Sequence, residues 1–285
     1  MPHHPAIAQG RAAVITGAAS GIGLAAATRF AALGMKVCLA DIDAPALETS
    51  AEAVRRAAGS AGSAGDIIAV PTDVSDPEQV KRLKNTAFDA FGDIAVVMNN
   101  AGREGGGGLF GDLKRWQDIF ATNLWGVIHG VQTFAPALID QGKPAVIINT
   151  GSKQGITCPP GDTAYNVTKA GVKVVTEALA HELRNIDGCR VTAHLLIPGF
   201  TFTGFTRVRG VSEKPAGAWT PEQVVDFMLP ALAAGDFYIL CPDNDVTRET
   251  DNKRIRWAAE DIIQNRPPLS RWHPDYKEAF ERFKP

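Results

Sequence analysis

Three side chains of types used in acid–base chemistry lie close together in the sequence: Ser152, Tyr165 and Lys169. Tyr165 and Lys169 are four residues apart, so on a helix they share one face, and the ammonium can favour the ionised phenol. A free tyrosine has a pKa of roughly 10, and a nearby cation with partial burial lowers it. Ser152 could hydrogen-bond the substrate oxygen that Tyr165 protonates or deprotonates. The group predicts a general base, although any long helix can carry Tyr and Lys at this spacing.

A glycine-rich segment near the start of the chain predicts a phosphate-binding turn. It follows the apolar run 12–15 and precedes the apolar, Ala-rich stretch 24–33, which gives the order strand, turn, helix. Glycines allow the backbone to approach a pyrophosphate closely, and the amides at a helix N-terminus supply donors for it. The segment reads Thr16, Gly17, Ala18, Ala19, Ser20, Gly21, Ile22 and Gly23.

Apolar runs that alternate with helical patterns predict the elements that hold these groups. The runs are continuous rather than alternating, which is typical of parallel strands covered on both faces. They lie at 12–15, 37–40, 67–70, 94–98, 145–149, 191–197 and 237–240. The alternation predicts an α/β, single-domain Rossmann fold: a doubly wound, seven-stranded parallel sheet with helices on both faces. Ligands in such sheets bind beyond the carboxyl ends of the strands.

Composition excludes several classes of protein. The chain has 285 residues, of which 45% are hydrophobic and 21% charged, and a net charge of -2, so we expect no nucleic-acid partner. The N-terminal residues lack the pattern of a signal peptide, and no stretch approaches the roughly 18 apolar residues of a membrane span, so we expect a cytoplasmic protein with no membrane partner. The four cysteines have no metal-ligand spacing, so we expect no metal site.

The chain resembles the short-chain dehydrogenase/reductase family. The resemblance covers about residues 10–240 and depends on markers in the family's order: the glycine turn, then Asn99-Asn100-Ala101-Gly102, Asn123, Ser152, Tyr165, Lys169 and Pro198-Gly199. No polar or Pro-rich linker divides the chain, so we expect one domain over 1–285, with a C-terminal extension at 243–285 over the substrate cleft or a subunit interface. The resemblance implies that the family's core covers about 10–242. It also implies hydride transfer between NAD and a secondary alcohol or its ketone.

The resemblance assigns the catalytic roles. Tyr165 is the general acid/base, Lys169 binds ribose hydroxyls and lowers the tyrosine pKa, and Ser152 stabilises the reacting oxygen. Asn123 fixes a water next to the lysine in relatives; the other interpretation is a polar residue satisfied within its helix. In the family, two long helices pair with a neighbouring subunit, and the apolar patterns at about 116–139 and 164–184 predict such helices, so we expect a homodimer or homotetramer.

The cofactor is predicted to be NAD. Asp41, at the end of the second strand, can accept both adenosine ribose hydroxyls and would repel a 2′-phosphate, and neither Ser20 nor Ile42 is basic. Asp73 and Val74 match the family's adenine-contacting pair. The full set of predicted cofactor contacts is Gly17, Ser20, Gly21, Ile22, Gly23, Asp41, Ile42, Asp73, Val74, Asn100, Ala101, Gly102, Tyr165, Lys169, Pro198, Gly199, Thr201 and Thr203.

Three departures from the family pattern bear on the substrate. Four consecutive glycines at 105–108 predict either a mobile lid, a means of making room, or a tolerated flexible loop. After Ser152, the side chains of Lys153, Gln154 and Cys158 could line the pocket. About forty further residues follow the last strand, with a helix predicted near 251–264, and they could cover a cleft or form an interface strap.

The substrate is predicted only by class. Aromatic residues in the loop that closes over substrate in relatives favour a bulky or aromatic apolar molecule; they are Phe200, Phe202, Phe205 and Trp219. Two other hypotheses remain: an NADPH-dependent carbonyl reductase, and a dinucleotide-binding sensor without turnover. Asp41 argues against the first, and the complete set of catalytic residues argues against the second.

Overall fold

Seven parallel strands form one sheet in the computed structural model, which describes residues 3–59, 66–204 and 213–284. The strands are β1 (Ala12–Thr16), β2 (Lys36–Asp41), β3 (Ile67–Pro71), β4 (Val96–Asn99), β5 (Ala145–Thr150), β6 (Val191–Ile197) and β7 (Tyr238–Leu240). Their order in the sheet is β3-β2-β1-β4-β5-β6-β7, and every neighbouring pair is parallel. The order reverses between β1 and β4, which places the switch point at the carboxyl ends of these two strands.

Helices cover both faces of the sheet. They are α1 (Gly21–Ala32), α2 (Ala44–Ala58), α3 (Pro77–Phe91), α4 (Leu113–Phe120), α5 (Gly126–Asp140), α6 (Gln154–Thr157), α7 (Thr163–Arg184), α8 (Pro221–Ala234), α9 (Arg248–Ile263) and α10 (Lys277–Arg282). One core cluster joins the sheet to α1, α2 and α8, and a second joins its other face to α3, α5 and α7. Every residue of β1 is buried because apolar helices lie against both sides of it.

The predicted fold class is confirmed, and each predicted strand lies within two residues of an observed one. The helix predicted at about 116–139 is not one regular helix. It consists of α4, a widened π-helical turn at Ala121–Trp125, and α5. Small residues bring α5 close to the strand ends: a Cβ on Gly130 would lie 2.0 Å from Asn99 Oδ1. The sequence pattern missed the widened turn because helical periodicity continues on both sides of it.

The extension after β7 has a small core of its own. Trp257 of α9 is buried, donates from Nε1 to Ser270 Oγ (2.8 Å), and is packed edge-on by Phe280 and Phe283. Asp261 accepts from Ser270 Oγ (2.6 Å) and pairs with an arginine that follows the helix. Helix α9 also packs against α6, the short helix that follows Ser152. Within the described ranges, no helix is both long and apolar enough to cross a bilayer.

Candidate active site

A cavity of about 530 Å³ opens at the carboxyl edge of the sheet, where the predicted site residues converge. The predicted residues that line it are Gly17, Ser20, Gly21, Ile22, Asp41, Asn100, Gly102, Ser152, Tyr165, Lys169, Pro198, Gly199, Thr201 and Thr203. We call the part around Gly17, Gly21 and Asp41 the glycine-turn end. The part around Glu104, Lys153, Gln154 and Phe200 is the loop end.

The glycine turn is fixed by close backbone contacts. Gly17 and Gly21 have φ of 66° and 55°, in the left-handed region that favours glycine. A Cβ on Gly23 would lie 2.2 Å from the Gly17 carbonyl oxygen, so only glycine fits there. Asn100 Nδ2 donates to the carbonyls of Thr16 (3.1 Å) and Gly17 (3.3 Å), which ties the turn to the end of β4. The turn leads directly into α1, whose N-cap residue Ser20 makes no side-chain capping hydrogen bond, and amides at a helix N-terminus are suited to bind an anion.

Asp41 is held at the same end by two backbone amides. Its Oδ2 accepts from Ala19 (3.0 Å) and its Oδ1 accepts from Asp43 (3.1 Å), so the carboxylate is oriented at the wall of the cavity. Asp43 caps α2 by accepting from the Ala46 amide (3.1 Å). Asp43 and Ala46 also line the cavity, and the sequence prediction did not include them.

Tyr165 and Lys169 lie on α7, buried, and both line the cavity. Lys169 Nζ is 5.7 Å from the centroid of the Tyr165 ring and donates to the carbonyl of Thr150 (2.8 Å) at the end of β5. Burial lowers the pKa of Lys169 to about 8, and the nearby Glu104 carboxylate partly opposes that shift. Ser152 lies just past β5, and its Oγ accepts from the Gln154 amide (3.2 Å).

Asn123 is fully buried in the widened turn and does not line the cavity. Its Oδ1 accepts from the Arg103 amide (2.8 Å), and its Nδ2 donates to the Arg103 carbonyl (2.8 Å). The side chain therefore holds the segment after β4 in place. Its predicted role with a water molecule remains a prediction.

Five other predicted cofactor residues also lie outside the cavity lining: Gly23, Ile42, Asp73, Val74 and Ala101. Asp73 Oδ1 accepts from the amide (2.9 Å) and the hydroxyl (2.7 Å) of Ser75, so its carboxylate orders the turn after β3. The Val74 side chain packs in the core, and Ile42 is 69% exposed. The backbones of Gly23 and Ala101 pack against Gly17 of the turn. Their cofactor contacts remain predictions.

The four-glycine segment has a defined arrangement that depends on Asp162, the cap of α7. Asp162 accepts from the amides of Gly105 (3.0 Å), Gly107 (2.9 Å) and Tyr165 (3.2 Å). A Cβ on Gly106 would lie 2.5 Å from Ala164 Cβ, so the segment passes directly over the start of α7. An Asp before a helix signals a cap in sequence, but its contacts with a distant loop carry no such signal.

The loop end contains residues that the sequence analysis predicted only in part. Lys153, Gln154 and Phe200 line the cavity, whereas Cys158, Phe202 and Trp219 do not. Phe205 lies outside the described residues. Glu104 lines the cavity and was not predicted, because a single glutamate in a loop has no periodic or motif signature.

Comparisons with known proteins agree with this geometry. Residues 11–213 match the family model described as short chain dehydrogenase. The chain is 36% identical over 271 residues to a 1-deoxy-11-beta-hydroxypentalenate dehydrogenase of Streptomyces exfoliatus, covering 93% of this chain and 94% of the relative. It is 34% identical over 222 residues to the granaticin polyketide synthase putative ketoacyl reductase 1 of Streptomyces violaceoruber, covering 75% and 76%.

Among solved structures, a short chain dehydrogenase/reductase from Burkholderia phymatum in complex with NAD superposes with a TM-score of 0.80 at 36% identity, covering 91% of this chain and 96% of that one. The family match, the identity to relatives and the fold similarity agree. The chain belongs to the short-chain dehydrogenase family.

Proposed function

We propose that this protein is an NAD-dependent oxidoreductase that transfers a hydride between NAD and a secondary alcohol or its ketone. One observation carries the proposal: the buried Tyr165 and Lys169 line the same cavity as the glycine turn and Asp41. The dehydrogenases and the reductase that the chain resembles support the same reaction class.

The residues present fit a dinucleotide. The left-handed glycines, the missing Cβ at Gly23 and the start of α1 form a cradle for a pyrophosphate. Pro198, Gly199, Thr201 and Thr203 line the cavity beside the catalytic side chains, where they would hold a nicotinamide. When bound, NAD supplies the hydride acceptor.

Tyr165 performs the proton transfer in this proposal. As a phenolate it removes the hydroxyl proton of an alcohol, and in the reverse direction it returns that proton to the developing alkoxide. Lys169 is mostly protonated at pH 7, since its pKa is about 8, and its positive charge favours the phenolate. Ser152 hydrogen-bonds the reacting oxygen as its charge changes.

NAD rather than NADP is proposed because of Asp41. Its carboxylate is fixed at the cavity wall by two amides, where it can accept ribose hydroxyls and repels a 2′-phosphate. The similar Burkholderia structure holds NAD. The similarity to a putative ketoacyl reductase keeps an NADPH-dependent carbonyl reductase as the second hypothesis. Phe200, at 45% exposure on the cavity wall, supports a bulky or aromatic apolar substrate.

A matched pair of tyrosine variants tests the proposal. The purified protein is incubated with NAD or NADP and a panel of secondary alcohols that includes 1-phenylethanol and cyclohexanol, and the absorbance of the reduced cofactor is followed. We expect NAD-dependent turnover that Tyr165→Phe lowers by about 10²- to 10⁴-fold, with NADH binding, read by fluorescence, within about twofold of the wild type.

Tyr238→Phe is the control, because this phenol is half-exposed on β7 and bonds Glu177 outside the cavity. Its turnover should match the wild type. Absence of turnover with every alcohol, equal use of NADP, or full activity of Tyr165→Phe would each contradict the proposal.

We further propose a dimer or tetramer and a cytoplasmic location. Exposed apolar side chains on the outer faces of the widened turn and α7 support the assembly: Trp125, Val167 and Val174. Light scattering of the purified protein measures the number of subunits. The location is supported by the sequence pattern alone, and fractionation of the producing cells tests it.

A further inference from the structure

Lys153, the residue after the catalytic serine, is paired with two carboxylates from beyond the last strand. Its Nζ lies 2.7 Å from Asp251 Oδ2 and 3.4 Å from Asp243 Oδ2. The Lys153 side chain is 18% exposed, and each carboxylate side chain is 5% exposed. Buried charges are tolerated only when they are paired, so these ion-pair contacts restrict where Lys153 can lie. We call Lys153, Asp243 and Asp251 the ion triad.

Asp243 connects the triad to the segment proposed to hold the nicotinamide. The Oδ2 atom that faces Lys153 also accepts from the amide of Phe200 (3.1 Å). A Cβ on Gly199 would lie 2.7 Å from this oxygen and 3.0 Å from Lys153 Nζ. One carboxylate therefore holds both the loop after β5 and the loop after β6 at the cavity wall.

Asp251 connects the triad to the catalytic helix. It is on α9, which packs against α6, and Ile255 of α9 belongs to the same apolar cluster as Ile156 of α6. Helix α6 in turn lies on α7: a Cβ on Gly155 would be 2.5 Å from the carbonyl carbon of Lys169. A continuous line of contacts thus runs from the C-terminal extension through α6 to the backbone of Lys169.

We propose that the ion triad makes the C-terminal extension part of the catalytic scaffold, with Lys153, Asp243 and Asp251 as positioning residues for Ser152 and for the Pro198–Phe200 segment. The inference rests on the proposed oxidoreductase function. It assigns the extension a role behind the cavity wall. Lys153 itself lines the cavity, and its ammonium is paired with both carboxylates there.

Asp251→Asn tests the triad, because it removes one charge with little change in shape. With 1-phenylethanol and NAD, we expect kcat to fall by roughly 10- to 100-fold, as for a small misplacement of catalytic groups, while the Kd for NADH stays within about twofold. Hydrogen exchange of amides in 152–157 should become faster. Asp243→Asn should also raise the KM for NAD, because Asp243 holds the Phe200 amide.

Two controls separate positioning from loss of stability. Glu249→Gln removes an exposed carboxylate on the same helix and should leave kcat and exchange at 152–157 unchanged. Ile255→Ala loosens α9 without removing a charge, and its thermal midpoint calibrates the loss of packing. An Asp251→Asn kcat within twofold of wild type would overturn the inference. So would an equal kcat loss in Ile255→Ala at a matched thermal midpoint.

The exchange measurement does not depend on turnover. If the wild type oxidises no alcohol, the proposed function is wrong. If hydrogen exchange at 152–157 is unchanged in Asp251→Asn, the proposed positioning role of the ion triad is wrong, whatever the turnover.

Discussion

The two ends of the cavity are built from different kinds of contact. At the glycine-turn end, backbone packs directly against backbone: Gly23 lies against the Gly17 carbonyl, six residues away in the chain, and the side chains of Asn100 and Asp41 bind this turn. At the loop end, carboxylates bind segments that are distant in sequence: Asp162 accepts from the amides of Gly105 and Gly107, and Asp243 binds Lys153 across 90 positions. The first kind of contact depends on residues that admit no substitute. The second depends on carboxylates in loops, together with the close packing of Gly106 on Ala164.

Adding one methyl group at Gly23 should disrupt the glycine turn. In Gly23→Ala the new Cβ would lie 2.2 Å from the Gly17 carbonyl oxygen and 2.7 Å from Asn100 Nδ2. Neither the Gly17 carbonyl nor the Asn100 side chain can move away without opening the turn. The free energy of unfolding should therefore fall by more than about 4 kcal/mol, a loss that is exceptional for one substitution. Urea denaturation measures the loss, and NADH binding should disappear with it.

Gly108→Ala is the matched variant at the loop end. A Cβ there would meet only the Gly161 carbonyl oxygen at 3.7 Å, an ordinary contact, and we expect a change within about 1 kcal/mol. If the two alanine variants lose equal stability, the distinction between the two ends is wrong.

Lys169 lies where the two ends meet, and its burial predicts a pH dependence. The unfolded chain keeps the lysine proton up to about pH 10.5, whereas the native protein releases it near its pKa of about 8. The native state is therefore favoured above pH 10.5 and loses that advantage as the pH falls to 8. At about 1.4 kcal/mol per pH unit, the contribution is about 3 kcal/mol.

Lys169→Met should remove this dependence. Between pH 8 and 10.5 the difference in unfolding free energy between wild type and variant should change by about 3 kcal/mol, in favour of the wild type at the higher pH. Both proteins contain the buried Cys38 and Cys241, whose pKa values burial raises to about 12, so the pH-dependent contributions of these thiols cancel in the difference. Val175→Ala, a neutral change on the same helix, should lose equal stability at every pH. A constant difference for Lys169→Met would contradict the predicted burial effect.

The sequence predicted the sheet well because strands buried on both faces leave continuous apolar runs, and β6 was predicted residue for residue at 191–197. The glycine turn and Asp41 at the end of β2 were likewise predicted from their local patterns. Asp162 and Asp243 were not found as binding partners, because a carboxylate in a loop has no periodicity to show which distant amide it meets. The fold and the glycine-turn end were therefore predictable from the sequence. The contacts at the loop end could be identified only in the three-dimensional structure.

Asp162→Ser separates the helix cap from the contacts with the glycine segment at the loop end. Serine is a good helix cap, so it should still accept from the Tyr165 amide, but it is too short to reach the amides of Gly105 and Gly107 as well. We expect the free energy of unfolding to stay within about 0.5 kcal/mol of wild type, since the cap survives. The KM for 1-phenylethanol should rise several-fold, because the glycine segment carries Glu104 into the cavity and loses its anchor.

Asp162→Ala removes both functions and separates them. Loss of the cap should cost about 1 kcal/mol in urea denaturation, with the same rise in KM as in the serine variant. A KM that rises only in the alanine variant would mean that the start of α7, rather than the glycine segment, shapes the loop end. Unchanged KM in both variants would mean that the segment keeps its arrangement through Gly106 packing on Ala164 alone, and the carboxylate would then lose its assigned importance at this end of the cavity.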